Sequence, residues 1–191
     1  VSRGGGLQIV RLPAGSAKIY LQAVAQHIRK HDYDWIQIDN RPSYVPFIKK
    51  VCGSTPVSLF LHSLTFVSPP KTSRSKASAQ LAQADLIVAN SRSLKRRLRK
   101  RFPRIRRRTF KHVHLGVDTE EFRPPAAALR KRARAGRKGV RPFLVLFVGR
   151  VIPMKGIPVL IRSVRLLRAS VPQVRLVVAG GGKSSGYVRK L

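Results

Sequence analysis

The stretch "FLVLFVGRVIPMKGIPVLIRSVRLLRASVPQVRLVVAGG", residues 143–181, contains three predicted elements in succession. An apolar run over 143–149 predicts a buried strand, helical spacing of apolar residues over 156–170 predicts a helix, and 174–181 predicts a second strand. Two strands joined by a helix form a parallel β-α-β unit, because parallel strands need a crossover connection of this length. This stretch therefore predicts an α/β layered sheet.

The same alternation runs through the first part of the chain. Helical spacing begins at Ser16, a candidate N-cap, and a second capped helix is predicted over 91–102 after Ser91. Short apolar runs between the predicted helices read as strands, two of them buried on both faces. These strands are predicted at 34–39, 56–62, 85–90 and 111–115.

A change of composition separates the two alternating regions. Residues 123–142 are rich in Arg, Pro and Gly and show no strand pattern, which is typical of a linker. The predicted organisation is a partial α/β domain over 1–122, a basic linker over 123–142, and the first β-α-β unit of a second domain over 143–191. That second domain is predicted to be incomplete.

The net charge is far from zero. Forty Lys and Arg face seven Asp and Glu, which gives +33, and no acid follows residue 121. Such a charge predicts attraction to polyanions, with nucleic acid, anionic lipid and phosphorylated substrates as alternatives. Eleven cations fall within 95–111, and Leu94, Leu98 and Phe102 make the start of that run amphipathic. It could lie on an acidic membrane, or form a solvated helix face.

The remaining composition bounds the class of protein. Hydrophobic residues make up 43%, enough for a packed core, and the single cysteine, Cys52, permits no disulfide within the chain. No apolar stretch reaches the ~20 residues that a bilayer requires. We therefore predict a cytoplasmic protein, with a peripheral position on the inner membrane face as an alternative. The absence of an initiator methionine suggests a start within a longer protein.

The loop inside the opening stretch has the composition of a phosphate site. Gly149 and Gly156 bound it, and Arg150 and Lys155 supply two cations. Ligands of doubly wound sheets bind at the carboxyl edge of the strands, where helix N-termini present N–H groups and partial positive charge. The loop therefore predicts a diphosphate site, although two cations carry limited weight in so basic a chain.

Five segments, in order, resemble family 4 glycosyltransferases of the GT-B fold. "FVGRVIPMKG" (147–156) is similar to the G-R-x4-K-G that opens their C-terminal domain, and "VVAGGG" (177–182) to the end of the next strand. The other three similar segments are "VSLFLHSL" (57–64), "ADLIVANSRSLKRRL" (84–98) and "LGVDTEEFRP" (115–124). "IDNRPSYVP" (38–46) is more weakly similar to bacterial members associated with the spore coat or cell envelope.

This resemblance implies two Rossmann-like segments of a GT-B fold, the second incomplete, and transfer of a sugar from a nucleotide-diphosphate donor to an unknown acceptor glycan or lipid. Gly149, Arg150, Lys155 and Gly156 would bind the donor diphosphate, without cofactor or metal. His62 would be the catalytic-site histidine facing the cleft. The residues that could line the cleft or the acceptor side are Asn40, Arg41, Asn90, Ser91 and Gly182.

The chain departs from the family pattern at both ends. The glycine-rich loop after the first N-terminal strand is missing, and the E-x7-E segment would lie beyond residue 191. We therefore expect this fragment to be inactive or very weak. Two alternatives stay open: a non-catalytic polyanion-binding protein, contacting nucleic acid nonspecifically or an anionic membrane, and a non-functional remnant of a glycosyltransferase.

Overall fold

Parallel sheets dominate both units of the chain in its computed structural model, which describes residues 2–4, 6–13, 15–124 and 142–181. Unit 1 spans Val1–Asp118 and unit 2 spans Thr119–Leu191. The predicted linker lies almost entirely outside the described residues, as does Gly182, so both stay predictions.

Unit 1 is built on a four-stranded parallel sheet with strands in the sequential order β3-β4-β5-β6. Helices follow β3, β4 and β5, as the alternation predicted. The strands of unit 1 are β1 Ser2–Gly4, β2 Leu7–Ile9, β3 Ile36–Asp39, β4 Val57–Leu61, β5 Leu86–Ala89 and β6 Phe110–His112. Its helices are α1 Ala17–Arg29, α2 Val45–Val51, α3 Arg74–Leu81 and α4 Arg92–Arg101.

The two central strands, β4 and β5, are buried on both faces. Val57, Leu59, Leu61 and Ile87 are fully shielded from solvent, and they form the core together with residues of the flanking helices. A central strand has a neighbouring strand at each edge and helices on each face, so most of its side chains are shielded from water. This explains the continuous apolar runs in the sequence. The prediction of buried strands is confirmed here.

Serine side chains begin three helices. Ser16, Ser73 and Ser91 accept hydrogen bonds from the backbone N–H groups of Ile19, Lys76 and Leu94, each at 3.2 Å. An N-cap hydroxyl satisfies one of the four N–H groups that the first helical turn leaves unpaired. The predicted caps at Ser16 and Ser91 are confirmed.

The apolar face of α4 packs inside unit 1. Leu94, Leu98 and Phe102 are all buried in the core cluster. This corrects the interpretation of the run as an amphipathic surface for lipid: its apolar side chains are already used by the fold. Only the cationic face of α4 is left to meet a partner.

Asp85 joins α2 to the start of two strands. Its Oδ2 accepts from the Val57 N–H at 2.7 Å and from Lys49 Nζ at 2.9 Å. Partial burial by itself raises the pKa of this carboxyl, but the hydrogen bonds from Val57 and Lys49, and the charge of Lys49, outweigh it and hold the pKa below its ordinary value.

The described part of unit 2 forms a β-α-β unit of β7 Leu144–Val148, α5 Ile157–Leu167 and β8 Arg175–Ala179. The two strands are parallel, with Leu146 opposite Val177. However, β7 is not buried on both faces. Leu146 and Val148 are 62% and 73% exposed, because α5, the helix that the structure describes in this unit, shields only part of the sheet.

Three further observations concern single elements. β6 ends at His112, whereas the sequence predicted a strand to residue 115. Near the N-terminus, β1 and β2 form an antiparallel pair, with Gly4 opposite Leu7. Across the described part of the chain, no helix has the length and apolar character needed to span a membrane.

Candidate functional site

The carboxyl edge of the unit 1 sheet brings the predicted unit 1 residues close together. β3 leads into Asn40 and Arg41, β4 into His62, and β5 into Asn90 and Ser91. In a parallel sheet all strands end at the same edge, so residues far apart in sequence become neighbours there. The candidate residues of unit 1 are thus placed by three adjacent strands.

His62 is held by contacts to both neighbouring strands. Its Nε2 lies 3.0 Å from Asp39 Oδ1, and its backbone carbonyl accepts from Asn90 Nδ2 at 3.1 Å. The His62 ring also packs on Phe60, with centroids 5.1 Å apart. When Nε2–H donates to the carboxylate, Nδ1 of a neutral imidazole is left as an acceptor. The His62 side chain is 37% exposed, so a ligand can reach it.

Asn40 carries backbone strain and an unpaired polar atom. Its φ is +55°, the left-handed region that side-chain-bearing residues seldom occupy. Its Oδ1 is buried and has no hydrogen-bond partner. A buried acceptor left unpaired costs about 1–3 kcal/mol. Beside it, the Arg41 guanidinium stacks over the Phe66 ring, 4.3 Å from the centroid. Strain and an orphan acceptor are typical of a functional position.

Asn90 and Ser91 have structural partners. The Asn90 amide bonds to the His62 carbonyl, and the Ser91 hydroxyl caps α4. Both residues therefore position the edge of the sheet, with Asn90 fixing the backbone that carries His62.

In unit 2, the ends of β7 and β8 approach each other closely at two glycines. The Gly149 N–H donates to the Ala179 carbonyl at 3.0 Å, and the Val151 N–H donates to the Gly181 carbonyl at 2.9 Å. A Cβ built on Gly180 would clash with the carbonyl carbon and oxygen of Gly149. Gly180 also has a φ of +151°, so both space and conformation require glycine there. The two strand ends therefore meet through backbone at Gly149 and Gly180.

The loop after β7 delivers two exposed cations to the start of α5. Arg150 leaves the strand, and Lys155 ends a one-turn 3-10 helix over Pro153–Lys155. Gly156 is the N-cap of α5, with a φ of +69° and no side chain to cap the first turn. No acidic residue lies in that turn. The helix start therefore keeps its partial positive charge uncompensated by α5 itself.

Two histidines that lie close together do not form a metal site. His112 ends β6 and His114 lies beyond it, so the two residues do not share a strand. His112 Nε2 accepts from Arg92 Nε at 3.3 Å. The pKa of His112 lies below its ordinary value. The largest cause is desolvation, and the positive charges of Lys95, Arg92 and His114 add to it. Among the described residues, no three His, Cys, Asp or Glu side chains cluster as metal ligands.

Two residues of these sites, Asp39 and Gly180, were not among the candidates predicted from the sequence. Asp39 ends β3, the strand next to the one that leads into His62. An acid at the last position of a predicted neighbouring strand was the sequence feature that could have indicated this contact. Gly180 was passed over for Gly182, although the run of glycines after β8 marked a close approach of backbones.

Comparison with known proteins agrees with this architecture. The sequence profile of Glycosyltransferase Family 4 matches residues 9–121, and that of Glycosyl transferases group 1 matches residues 130–191. YtcC of Bacillus subtilis (strain 168), named as a glycosyltransferase, is 32% identical over 180 residues, which cover 92% of this chain and 43% of YtcC. Spore coat protein SA of the same organism is 30% identical over 183 residues, which cover 90% of this chain and 48% of that protein.

A solved structure shares the fold. Alr3699/HepE of Anabaena, crystallised in complex with UDP, matches with a TM-score of 0.61 at 22% identity, over 90% of this chain and 46% of that one. The chain thus spans about half the length of the relatives it matches. Two family profiles in sequence, the α/β alternation and the shared GT-B fold lead to one conclusion: the chain belongs to glycosyltransferase family 4.

Proposed function

We propose that this chain serves the transfer of a sugar from a nucleotide-diphosphate donor to an acceptor, with the donor diphosphate bound by unit 2. The observation that carries the proposal is the loop after β7, where Arg150 and Lys155 flank a turn that ends at the uncapped start of α5. The positive end of the helix dipole and two exposed cations would together form an anion site.

The chemistry requires positive charge at the leaving group. When the bond between the sugar and the diphosphate breaks, negative charge builds up on the nucleotide diphosphate. Arg150 and Lys155 would neutralise that charge, and interactions that strengthen in the transition state accelerate the reaction. We infer that these two cations supply the stabilisation without a metal or other cofactor. Gly149 and Gly156 would let the diphosphate approach the backbone.

Unit 1 would supply the sugar and acceptor contacts. The His62 imidazole, oriented by Asp39, offers a ring nitrogen to a sugar hydroxyl. The buried Oδ1 of Asn40 is an acceptor that a ligand hydroxyl could satisfy. Similarity to Spore coat protein SA supports a surface or envelope glycan, or its lipid-linked form, as the acceptor class. We place the reaction in the cytoplasm, consistent with a single unpaired cysteine, Cys52.

Binding is the direct test, because it does not depend on completing the transfer reaction. UDP and GDP are titrated into the full 191-residue chain by isothermal calorimetry. At least one of them is expected to bind, and Arg150→Ala or Lys155→Ala is expected to weaken it about tenfold or more, since each charge-assisted hydrogen bond contributes roughly 1.5–3 kcal/mol.

Arg162→Ala is the matched control, since Arg162 is an exposed arginine on α5 of the same unit. It is expected to bind the nucleotide as the parent does. Equal affinities in all three variants would show that the diphosphate is bound elsewhere. Binding by neither nucleotide would remove the support for the donor site.

A non-catalytic polyanion-binding role is the second candidate, and the net charge of +33 favours it. This role predicts that affinity for nucleic acid falls steeply as the salt concentration rises. It also predicts that substitutions at residues 150 and 155 lower that affinity no more than substitutions at other cations do.

A further inference from the structure

A strongly basic cavity lies on unit 1, and its described lining does not include the Asp39–His62 pair. Its volume is about 660 Å³. Five cations of α4 line one side: Arg92, Lys95, Arg96, Arg99 and Lys100. Arg107 and His112, from the start and the end of the segment that contains β6, also line it. Six cationic side chains and one imidazole thus surround a volume in the range of small-molecule sites, about 300–1,000 Å³.

The helical repeat explains why these cations converge. Spacings of three and four residues place the five α4 cations on one face, while Leu94 and Leu98 occupy the core-facing side. Like charges at such spacings each destabilise a helix by about 0.2–0.5 kcal/mol. The fold therefore maintains a concentration of charge that works against its own stability.

The described lining contains no opposing charge. No carboxylate is among the described residues around the cavity, and the sequence from Arg92 to His112 has neither Asp nor Glu. Arg92 is held at one end of the cavity by its hydrogen bond to His112. Lys95 and Arg99 are half-buried, so their charges are partly withdrawn from water and interact more strongly with an anion.

We propose that this cavity binds a compact ligand carrying several phosphate groups. Arginine guanidinium groups present paired N–H donors that match phosphate oxygens, and lysines add point charges. Six cations exceed what a single phosphate can engage, which indicates two or more phosphate groups in one ligand. A soluble polyphosphorylated compound and the phosphorylated headgroup of an anionic lipid share this chemistry. With its apolar face in the core, α4 would meet a lipid through its cations alone.

The test uses inorganic tripolyphosphate as the probe and the full chain as the receptor. The parent is compared with the double variant Lys95→Gln/Arg99→Gln, in which two half-buried lining cations lose their charge. The control is Arg29→Gln/Lys50→Gln, which removes one Arg and one Lys from exposed positions outside the cavity. Circular dichroism confirms that each variant is folded, and both variants remove repulsion rather than core contacts.

We expect the cavity variant to bind tripolyphosphate about tenfold more weakly or worse, and the control to remain within about twofold of the parent. A parallel arm measures sedimentation with phosphatidylcholine vesicles with and without phosphatidylinositol 4-phosphate. Selective loss of vesicle binding in the cavity variant assigns a lipid headgroup as the source. Loss of tripolyphosphate binding alone assigns a soluble ligand.

Two results would overturn the proposal. Equal weakening in the cavity and control variants would show that overall charge attracts the phosphates. Absence of tripolyphosphate binding by the folded parent, with tight binding of nucleic acid instead, would show that the basic face serves an extended polymer.

Discussion

At the scale of single residues, the two units reach their chemistry in different ways. Unit 1 presents side chains, with Asp39 orienting His62 and Asn40 held in a strained conformation. Unit 2 presents two exposed cations, Arg150 and Lys155, next to strand ends that approach too closely at Gly180 for a side chain. The exposed Asp39–His62 pair contributes little stability by itself, since surface ion pairs are worth about 0–1 kcal/mol. The pair does fix the orientation of the imidazole, which the proposed contact between His62 and a sugar hydroxyl requires.

Gly180→Ala is the prediction that belongs to this scale. The new Cβ meets the Gly149 carbonyl, and alanine disfavours a φ of +151°. We expect the substitution to destabilise unit 2 by at least about 1–3 kcal/mol. Hydrogen exchange of the β7 and β8 amides measures it, with about tenfold faster exchange for each 1.4 kcal/mol lost.

Gly181→Ala is the matched control. A Cβ at Gly181 has nothing within 4 Å, and its φ lies outside the left-handed region. Exchange in this variant should match the parent. If both alanine variants exchange alike, the strand ends do not approach each other as described.

At the scale of elements, α4 performs two tasks on opposite faces. Leu94 and Leu98 anchor it in the core, and its cations line the basic cavity. Because the helix is held by its apolar side, the repulsion among its charges does not unfold it. The amphipathic pattern of the sequence was compatible with a membrane surface or a solvated face, and the burial of Leu94 and Leu98 shows that the apolar side packs in the core instead.

Leu98→Ala tests that assignment. Leu98 is fully buried, and large-to-small substitutions of buried leucine cost about 2–5 kcal/mol. Urea unfolding can be followed by the fluorescence of Trp35, which donates to Ser58 in β4. Leu115→Ala, at a side chain that is 61% exposed, should change the free energy of unfolding by no more than about 0.5 kcal/mol. Similar losses in both variants would place Leu98 outside the core.

At the scale of the whole molecule, charge sets the response to solution conditions. A net charge of +33 on 191 residues makes the folded chain repel itself, and protonation of the few acids increases that repulsion. The pKa values of Asp85 and His112 are both below their ordinary values in the fold. Each group therefore binds fewer protons when folded than when unfolded, so stability rises with pH and falls on acidification.

We expect the free energy of unfolding of the parent to fall first as pH drops through the ordinary imidazole range, near 6.5, and again through the carboxyl range, near 3.9. Asp85→Asn should flatten the second decline, at a cost of about 1 kcal/mol or less at neutral pH, since the Lys49–Asp85 pair is partly exposed. Chemical denaturation across pH measures both. Asp32→Asn, at an exposed acid, should leave the second decline intact. A decline unchanged in Asp85→Asn would contradict the assignment.

The sequence by itself determined the elements, because their signals are local. Apolar runs marked β4 and β5, serines marked the starts of α1 and α4, and the motifs around residues 84–98 and 147–156 indicated the glycosyltransferase family. Periodicity and capping depend on residues a few positions apart, so they can be read without knowing the fold.

Only the tertiary structure decided which residues meet. Asp39 reaches His62, and Gly180 approaches Gly149, because parallel pairing aligns strands that lie well apart in sequence. It also decided that α4 turns its leucines inward and its cations toward one cavity, while β7 leaves Leu146 and Val148 exposed. Strand register and burial depend on contacts between segments that are far apart in sequence. An apolar run looks the same in the sequence whether one face of the strand or both faces are covered in the fold.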